Sequence, residues 1–144
     1  MTGNLRKDPV THYRGRLEGP PHIERLQYVE KHEPNLDLVI YEPGNIHRAF
    51  AAYCDGIVLV RPEGLGGFFK DHQRIGYISD LYVGAAYRRR GWGSLLVKAW
   101  LEHAKTYKAT GVYLNLGASE WLVDFYKGLG FTEIMKGDTM GIVL

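Results

Sequence analysis

At 144 residues the chain is long enough to bury one sizeable core, and its 45% hydrophobic and 24% charged residues are ordinary for a soluble globular protein. A formal net charge of +2 argues against a dedicated nucleic-acid binder while leaving room for a local basic site. The single cysteine, Cys54, excludes an intrachain disulfide and points to a reducing, cytoplasmic setting; no run is apolar enough to enter a membrane or to form a leader. Residues 1–21 are polar and turn-rich, with a short strand expected over 11–18. Residues 22–32 carry Ile23, Leu26 and Val29 at helical spacing, and Pro34 stops that helix. Residues 36–41 alternate as a strand does, and 42–47 form a turn. Two β-prone runs, 48–53 and 57–61, flank Cys54, Asp55 and Gly56; an Asp-Gly pair so placed predicts a hairpin. Residues 62–72 form a glycine-rich loop. Its Gly64-Leu65-Gly66-Gly67 lacks the βαβ context of a dinucleotide fingerprint.

The most informative stretch is 77–96. Residues 77–83 are β-rich and aromatic, 84–93 form a loop with three arginines and three glycines, and a helix begins at Ser94. A strand that runs through a glycine turn into a helix is a common anion cradle. The helix start offers unpaired N–H groups and a positive dipole end, and glycine permits close backbone approach. Arg88, Arg89 and Arg90 placed there predict phosphate binding rather than an idle basic turn. The helix is expected over 93–108, with Leu96, Trp100, Ala104 and Tyr107 on one stripe. After Gly111 come a strand over 112–116 and a second helix over 120–128, capped by Ser119 and burying Leu122, Phe125 and Leu129. Residues 131–136 and 139–144 make a terminal hairpin across Gly137-Asp138. The sum is one α/β domain, 1–144, built on a mixed sheet with helices.

Two of these segments resemble the GNAT superfamily, the acyl-CoA-dependent N-acetyltransferases. The family's loop reads Gln/Arg-x-x-Gly-x-Gly/Ala, matched by Arg88-Arg89-Arg90-Gly91-Trp92-Gly93 after a strand ending in Leu81-Tyr82-Val83. Its second signature, an aromatic pair followed by Gly-Phe, is matched by Phe125-Tyr126-Lys127-Gly128-Leu129-Gly130-Phe131. The resemblance covers 74–144 well and extends back to about 48. It implies a mixed, mainly antiparallel sheet with a splayed central strand and flanking helices, with 74–144 binding acyl-CoA. Residues 1–47, which show one helix where the family usually has two, depart from the pattern on the acceptor side.

The same resemblance implies that backbone groups of Leu81, Tyr82 and Val83 pair with the pantetheine amides and thioester of acetyl-CoA. N–H groups of Arg89 through Gly91, Trp92, Gly93 and Ser94 would cradle the pyrophosphate. Tyr126 would protonate the departing sulfur, an acid role open to a phenol of ordinary pKa about 10; the plainer reading is a buried aromatic. Ser119 stands where the family commonly has Asn, and its first role is the helix cap. Asp80 is the only carboxylate in 74–83. It is read either as the general base for the acceptor amine or as a strand carboxylate paired with an arginine. Period-two alternation puts Tyr77 and Ser79 on the face opposite Asp80.

No metal is expected, because one cysteine and unpaired histidines offer no zinc spacing. Cys54 has no neighbouring base and is not read as a nucleophile. The expectation is direct acetyl transfer from acetyl-CoA to an amine of a small molecule or a protein. Two alternatives remain at this stage: an acyl-CoA-binding module without turnover, and a basic nucleic-acid-binding domain using the arginine cluster. No membrane partner is expected. A homodimer would be conceivable through strand pairing at 139–144.

Overall fold

The computed structural model describes residues 21–26, 35–44, 47, 49–60, 68–69, 74–117 and 122–144. Among them the elements run β1 (Glu24–Arg25), β2 (Asn35–Tyr41), β3 (Phe50–Val60), β4 (Arg74–Val83), α1 (Trp92–Thr106), β5 (Gly111–Asn115), α2 (Val123–Gly128), β6 (Thr132–Met135) and β7 (Thr139–Val143). A 3-10 turn, Ala85–Tyr87, joins β4 to the loop before α1. The strands form a seven-stranded sheet in the order β1-β2-β3-β4-β5-β7-β6. Only β4 and β5 are parallel; α1 makes the crossover that a parallel pair requires.

The helix face of the sheet holds the main core. Leu36, Leu38, Ala52, Cys54, Val58, Ile78, Val112, Leu114 and Met140 meet Leu96, Val97, Trp100 and Ala104 of α1 there. Trp100 anchors it. Its indole N–H donates to the Leu36 carbonyl at 2.7 Å, so the one polar atom of the ring is satisfied inside the core. The ring fits because two strand positions are glycine. A Cβ on Gly56 would lie 2.5 Å from the ring, and one on Gly76 would lie 2.9 Å from it.

Several expectations change. Residues 48–61 are not a hairpin: β3 is one continuous 11-residue strand, with Cys54, Asp55 and Gly56 at its centre. Gly56 serves close approach of Trp100 and β4, not a turn, which is the other meaning of glycine within a strand. Glu24 and Arg25 pair with Val39 and Leu38, and Leu26 N–H donates to Asp37 C=O at 3.0 Å, so helix does not cover the start of 22–32. Sheet pairing overrides the helical spacing of Ile23 and Leu26. In α2 the buried residue is Tyr126, while Leu122, Phe125 and Leu129 are half-buried. From Thr139 to Gly141, β7 is paired on both sides, by β5 and β6, so that stretch offers no edge for a second chain. The strand over 36–41, the long helix and the terminal hairpin form where expected, within one or two residues. The expectations for 11–18, for 27–34 and for Ser119, and most of the loop 62–72, lie outside the described residues.

Replacing Trp100 by alanine deletes the ring and strands the buried Leu36 carbonyl. Large aromatic-to-alanine changes of this kind cost about 3–5 kcal/mol. The expected result is a fall of that size in denaturant unfolding. Gly76→Ala, which pushes a methyl against the same ring, should cost less, about 1–3 kcal/mol.

Candidate active site

The site is assembled where β4 leaves β5. Parallel pairing runs from Ile75 opposite Gly111 to Ile78 opposite Leu114, and stops. Beyond that point β4 continues to Val83, paired only with β3. β5 stays paired with β7 along its whole length, ending at Asn115 opposite Thr139, whose hydroxyl donates to the Asn115 side chain at 3.0 Å. Leu81 and Val83 pack their side chains against the main core. The backbone of 79–83 on the β5 side is thereby left as a short open strand edge, suited to pairing with an extended ligand.

The loop after β4 is held by its own arginines. Arg88 Nε donates to Val83 C=O at 2.9 Å, and Arg90 donates to Ala86 C=O at 3.2 Å. The Arg90 guanidinium also lies over the rings of Tyr87 and Trp92, which stack on each other with centroids 5.2 Å apart. Of the expected phosphate arginines, two therefore brace the loop. Arg89 is exposed, sits at φ 65, and makes no side-chain hydrogen bond among the described residues. It is the arginine whose guanidinium is uncommitted.

Helix α1 starts at Gly91, whose φ of 79 is left-handed. The first intrahelical bond runs from Leu95 N–H to the Gly91 carbonyl at 3.0 Å. The N–H groups of Trp92, Gly93 and Ser94 precede that ladder and have no intrahelical acceptor. No side chain caps this end and no acidic residue occupies the first turn. Trp92 itself is buried and its ring serves packing. Nothing lies within 4 Å of where a Gly91 Cβ would be, so the open space in front of the helix start is available to an anion.

Asp80 lies beside the parting of the strands, on the far side of the sheet from α1. A bulge puts it there. Gly56 pairs with Ile78 but Asp55 pairs with Asp80, so Ser79 is an extra residue with no partner of its own. The pairing also gives Tyr77 opposite Ile57 and Tyr82 opposite Tyr53, all on the Asp55 face. Tyr77 and Asp80 therefore share a face. The period-two expectation that separated them fails because the inserted Ser79 shifts the alternation by one. The Ser79 hydroxyl donates to Asp55 C=O at 3.1 Å, which pins the bulge.

Asp80 is not paired with an arginine in any described contact; it accepts a hydrogen bond from the Tyr53 hydroxyl at 3.2 Å, and Tyr53 stacks on Tyr82. It also has two carboxylate neighbours that sequence reasoning missed. Asp37 of β2 pairs with Asp55 of β3, and Asp55 with Asp80, a row across three strands. The alternation of 36–41 was a usable signal for Asp37. Asp55 was hidden by being read as a turn residue. Burial, with Asp37 and Asp80 on either side, raises Asp55 to about 6. Among the described residues no group of three His, Cys, Asp or Glu is arranged to hold a metal ion.

Tyr126, from α2, is buried and makes edge contacts with Phe125 and Phe131 at centroid distances of 4.9 and 5.5 Å. The Leu129-Gly130 turn folds Phe131 back, with its N–H donating to Tyr126 C=O at 3.0 Å; Gly130 takes φ 101 to allow it. Burial pushes the Tyr126 phenol far up, with Cys54 and Asp80 adding to the shift. The phenol thus keeps its proton throughout the neutral range. Cys54 is fully buried and its thiol is also pushed well up by burial, with Asp55, Asp37 and Asp80 contributing, so it is no nucleophile.

A parallel pair that parts around an open strand edge, an arginine–glycine loop at a helix start and a buried tyrosine beyond it lie together at one end of the sheet. The sequence model of the acetyltransferase (GNAT) family matches residues 13–131, and the chain belongs to that family. It is 31% identical over 80 residues to an uncharacterized N-acetyltransferase, CgeE, of Bacillus subtilis, covering 55% of this chain and 31% of that protein. It is 34% identical over 87 residues to glucosamine 6-phosphate N-acetyltransferase 1 of Oryza sativa, covering 60% and 48%. The matched part spans less than half of either relative. Among solved structures, Arabidopsis thaliana NAA60 with a bisubstrate analogue superimposes with a TM-score of 0.63 at 14% identity, over 76% of each chain. A Thermoplasma acidophilum PaiA N-acetyltransferase bound to coenzyme A gives 0.55 at 14% identity, over 76% of this chain and 61% of that one. At such identities these two likenesses show the fold alone.

Gly91→Val should keep the fold, since its Cβ meets no atom. It should lower stability by about 1–2 kcal/mol, the cost of a left-handed backbone for a side-chain-bearing residue. It should also weaken coenzyme A binding strongly, because the added side chain fills the space before the helix N–H groups. Calorimetry with coenzyme A, and circular dichroism for the fold, check both effects.

Proposed function

We propose that the protein transfers the acetyl group of acetyl-CoA directly to an amine. The observation that carries the reading is the parting of β4 from β5 at Ile78, immediately before the arginine–glycine loop. An open strand edge and an anion-binding helix start, joined by one short loop, match a ligand with amides at one end and a pyrophosphate at the other. On this reading the backbone of 79–83 pairs with the amide-bearing arm. The N–H groups of Trp92, Gly93 and Ser94, with Arg89, hold the pyrophosphate. An open backbone N–H near Val83 faces the thioester oxygen and stabilises the charge that builds there.

A carboxylate of the Asp80 row takes the ammonium proton so that the amine can attack. Tyr126 donates to the sulfur as it leaves. Its raised pKa cuts both ways: the proton is always present, but the phenol is a weaker acid. Its contribution is a hydrogen bond to the developing thiolate in a site of low dielectric, tightening as charge grows. The buried, unpaired Cys54 is in keeping with a reducing, cytoplasmic setting. No helix among the described residues is long and apolar enough to cross a membrane.

The test is acetyl transfer to a panel comprising an alkyl diamine, an amino-sugar phosphate and a peptide with a free N-terminus. Tyr126→Phe keeps the ring and removes the hydroxyl. Its kcat should fall about 10²–10⁴-fold, the usual worth of a positioned acid, with acetyl-CoA affinity little changed. A folded Tyr126→Phe variant with native kcat would reduce Tyr126 to a packing residue. Acetyl-CoA binding without turnover on any amine would favour a binding module instead.

A further inference from the structure

We propose that Asp55, rather than Asp80, is the carboxylate that takes the proton from the acceptor's ammonium group. The assignment rests on the transfer reading above and names a residue within its site. It follows from the geometry of the row Asp37, Asp55, Asp80 on the face away from α1. The two outer carboxylates each accept a hydrogen bond. Asp37 Oδ1 accepts the Gly56 N–H at 3.3 Å, and Asp80 Oδ2 accepts the Tyr53 hydroxyl at 3.2 Å. Asp55 has no side-chain hydrogen bond among the described residues, and it stands between two like charges. Charge repulsion in such a row is relieved most cheaply by protonating the middle member.

The groups facing Asp55 among the described residues are Asp37 on β2, Tyr53 on its own strand, and Asp80 and Tyr82 on β4. None is a cation. Burial acts first, then Asp37 and Asp80, and together they place Asp55 at about 6. A general base works best when its pKa lies near the working pH, because it is then both available and basic enough. Facing residues on neighbouring strands have Cβ atoms about 4.5–5.5 Å apart. An ammonium resting against Asp80 is therefore within reach of Asp55, directly or through one water. The Ser79 bulge makes this possible, since without it Asp80 would point to the α1 face.

The step balances simply. Asp55 carboxylate takes one proton from the ammonium, leaving a neutral amine and a neutral Asp55. The amine nitrogen bonds to the thioester carbonyl carbon, the carbon–sulfur bond breaks, and the sulfur leaves with the bonding pair. The nitrogen's second proton goes to the sulfur, by way of the Tyr126 hydroxyl and solvent. Asp55 then releases its proton to water.

The experiment is the pH profile of kcat/KM with whichever panel amine turns over fastest. The wild type should show an acidic limb near pH 6, well below the amine's own titration. Asp55→Asn should abolish that limb and lower kcat/KM about 10²–10⁴-fold. Asp80→Asn should keep the limb but move it to lower pH, because one repelling charge on Asp55 is gone. Asp37→Asn should move it in the same direction. A readout independent of turnover is stability. The folded-state pKa of Asp55 is raised, so its ionised form costs stability that is fully felt above about pH 6 and disappears as pH falls below it. Asp55→Asn should therefore raise Tm at pH 8 and change it less at pH 5. A limb that persists in Asp55→Asn and vanishes in Asp80→Asn would overturn the assignment and make Asp80 the base. A wild type that binds acetyl-CoA but acetylates no amine would instead overturn the transfer reading, and this assignment with it.

Discussion

The single residue Ser79 organises the candidate site of this molecule. It is the extra residue in β4, opposite the step from Asp55 to Gly56 in β3. A bulge increases local twist and bends its strand. Ile78, the residue before it, is also the last residue of β4 to pair with β5. The bulge and the parting of the parallel pair coincide, so one local irregularity has two consequences. It turns the strand away from β5, opening a backbone edge, and it moves Asp80 onto the face that carries Asp55 and Asp37.

The rest of the core accommodates that bend. Gly56 lies at the bulge, where a side chain would run into the Tyr77 carbonyl and the Trp100 ring. Gly76 lies on the next strand against the same ring. Trp100 fills the hollow left by both glycines and ties α1 to β2 through the Leu36 carbonyl. Helix α1 is thus locked to the sheet near its middle, and this sets where its N-terminus stands relative to the open edge of β4. The short 3-10 turn, with Gly84 N–H donating to Ala51 C=O at 2.7 Å, fixes the other end of the connection. A packing interaction in the core in this way positions the uncapped start of α1.

The electrostatics of the two faces differ for related reasons. On the α1 face, burial holds Cys54 and Tyr126 neutral. On the far face, burial and the flanking Asp37 and Asp80 raise Asp55 to about 6, while Asp37 and Asp80 each accept a hydrogen bond. The buried thiol and phenol and the carboxylate row therefore lie on opposite faces of one sheet. The opening between β4 and β5 lies at the boundary.

How far the sequence reached follows from the range of the forces involved. Local chemistry was enough for the arginine–glycine loop, for the stripe of α1 and for the Phe125–Phe131 segment, because helix starts, helical periodicity and glycine turns are decided within a few residues. It was misleading at Asp55-Gly56, where a pair that usually makes a turn sits in mid-strand, and at Ile23 and Leu26, where strand pairing outcompetes helical spacing. Alternation alone set Tyr77 on the face opposite Asp80, since a bulge is set by pairing with another strand and leaves no mark in the strand's own residues. The carboxylate row joins residues 37, 55 and 80, and no local pattern links them. The sequence by itself determined the family and the arginine–glycine turn at the start of α1. Only the tertiary structure decided which side chains share the site, because cross-strand register is a long-range property that packing settles.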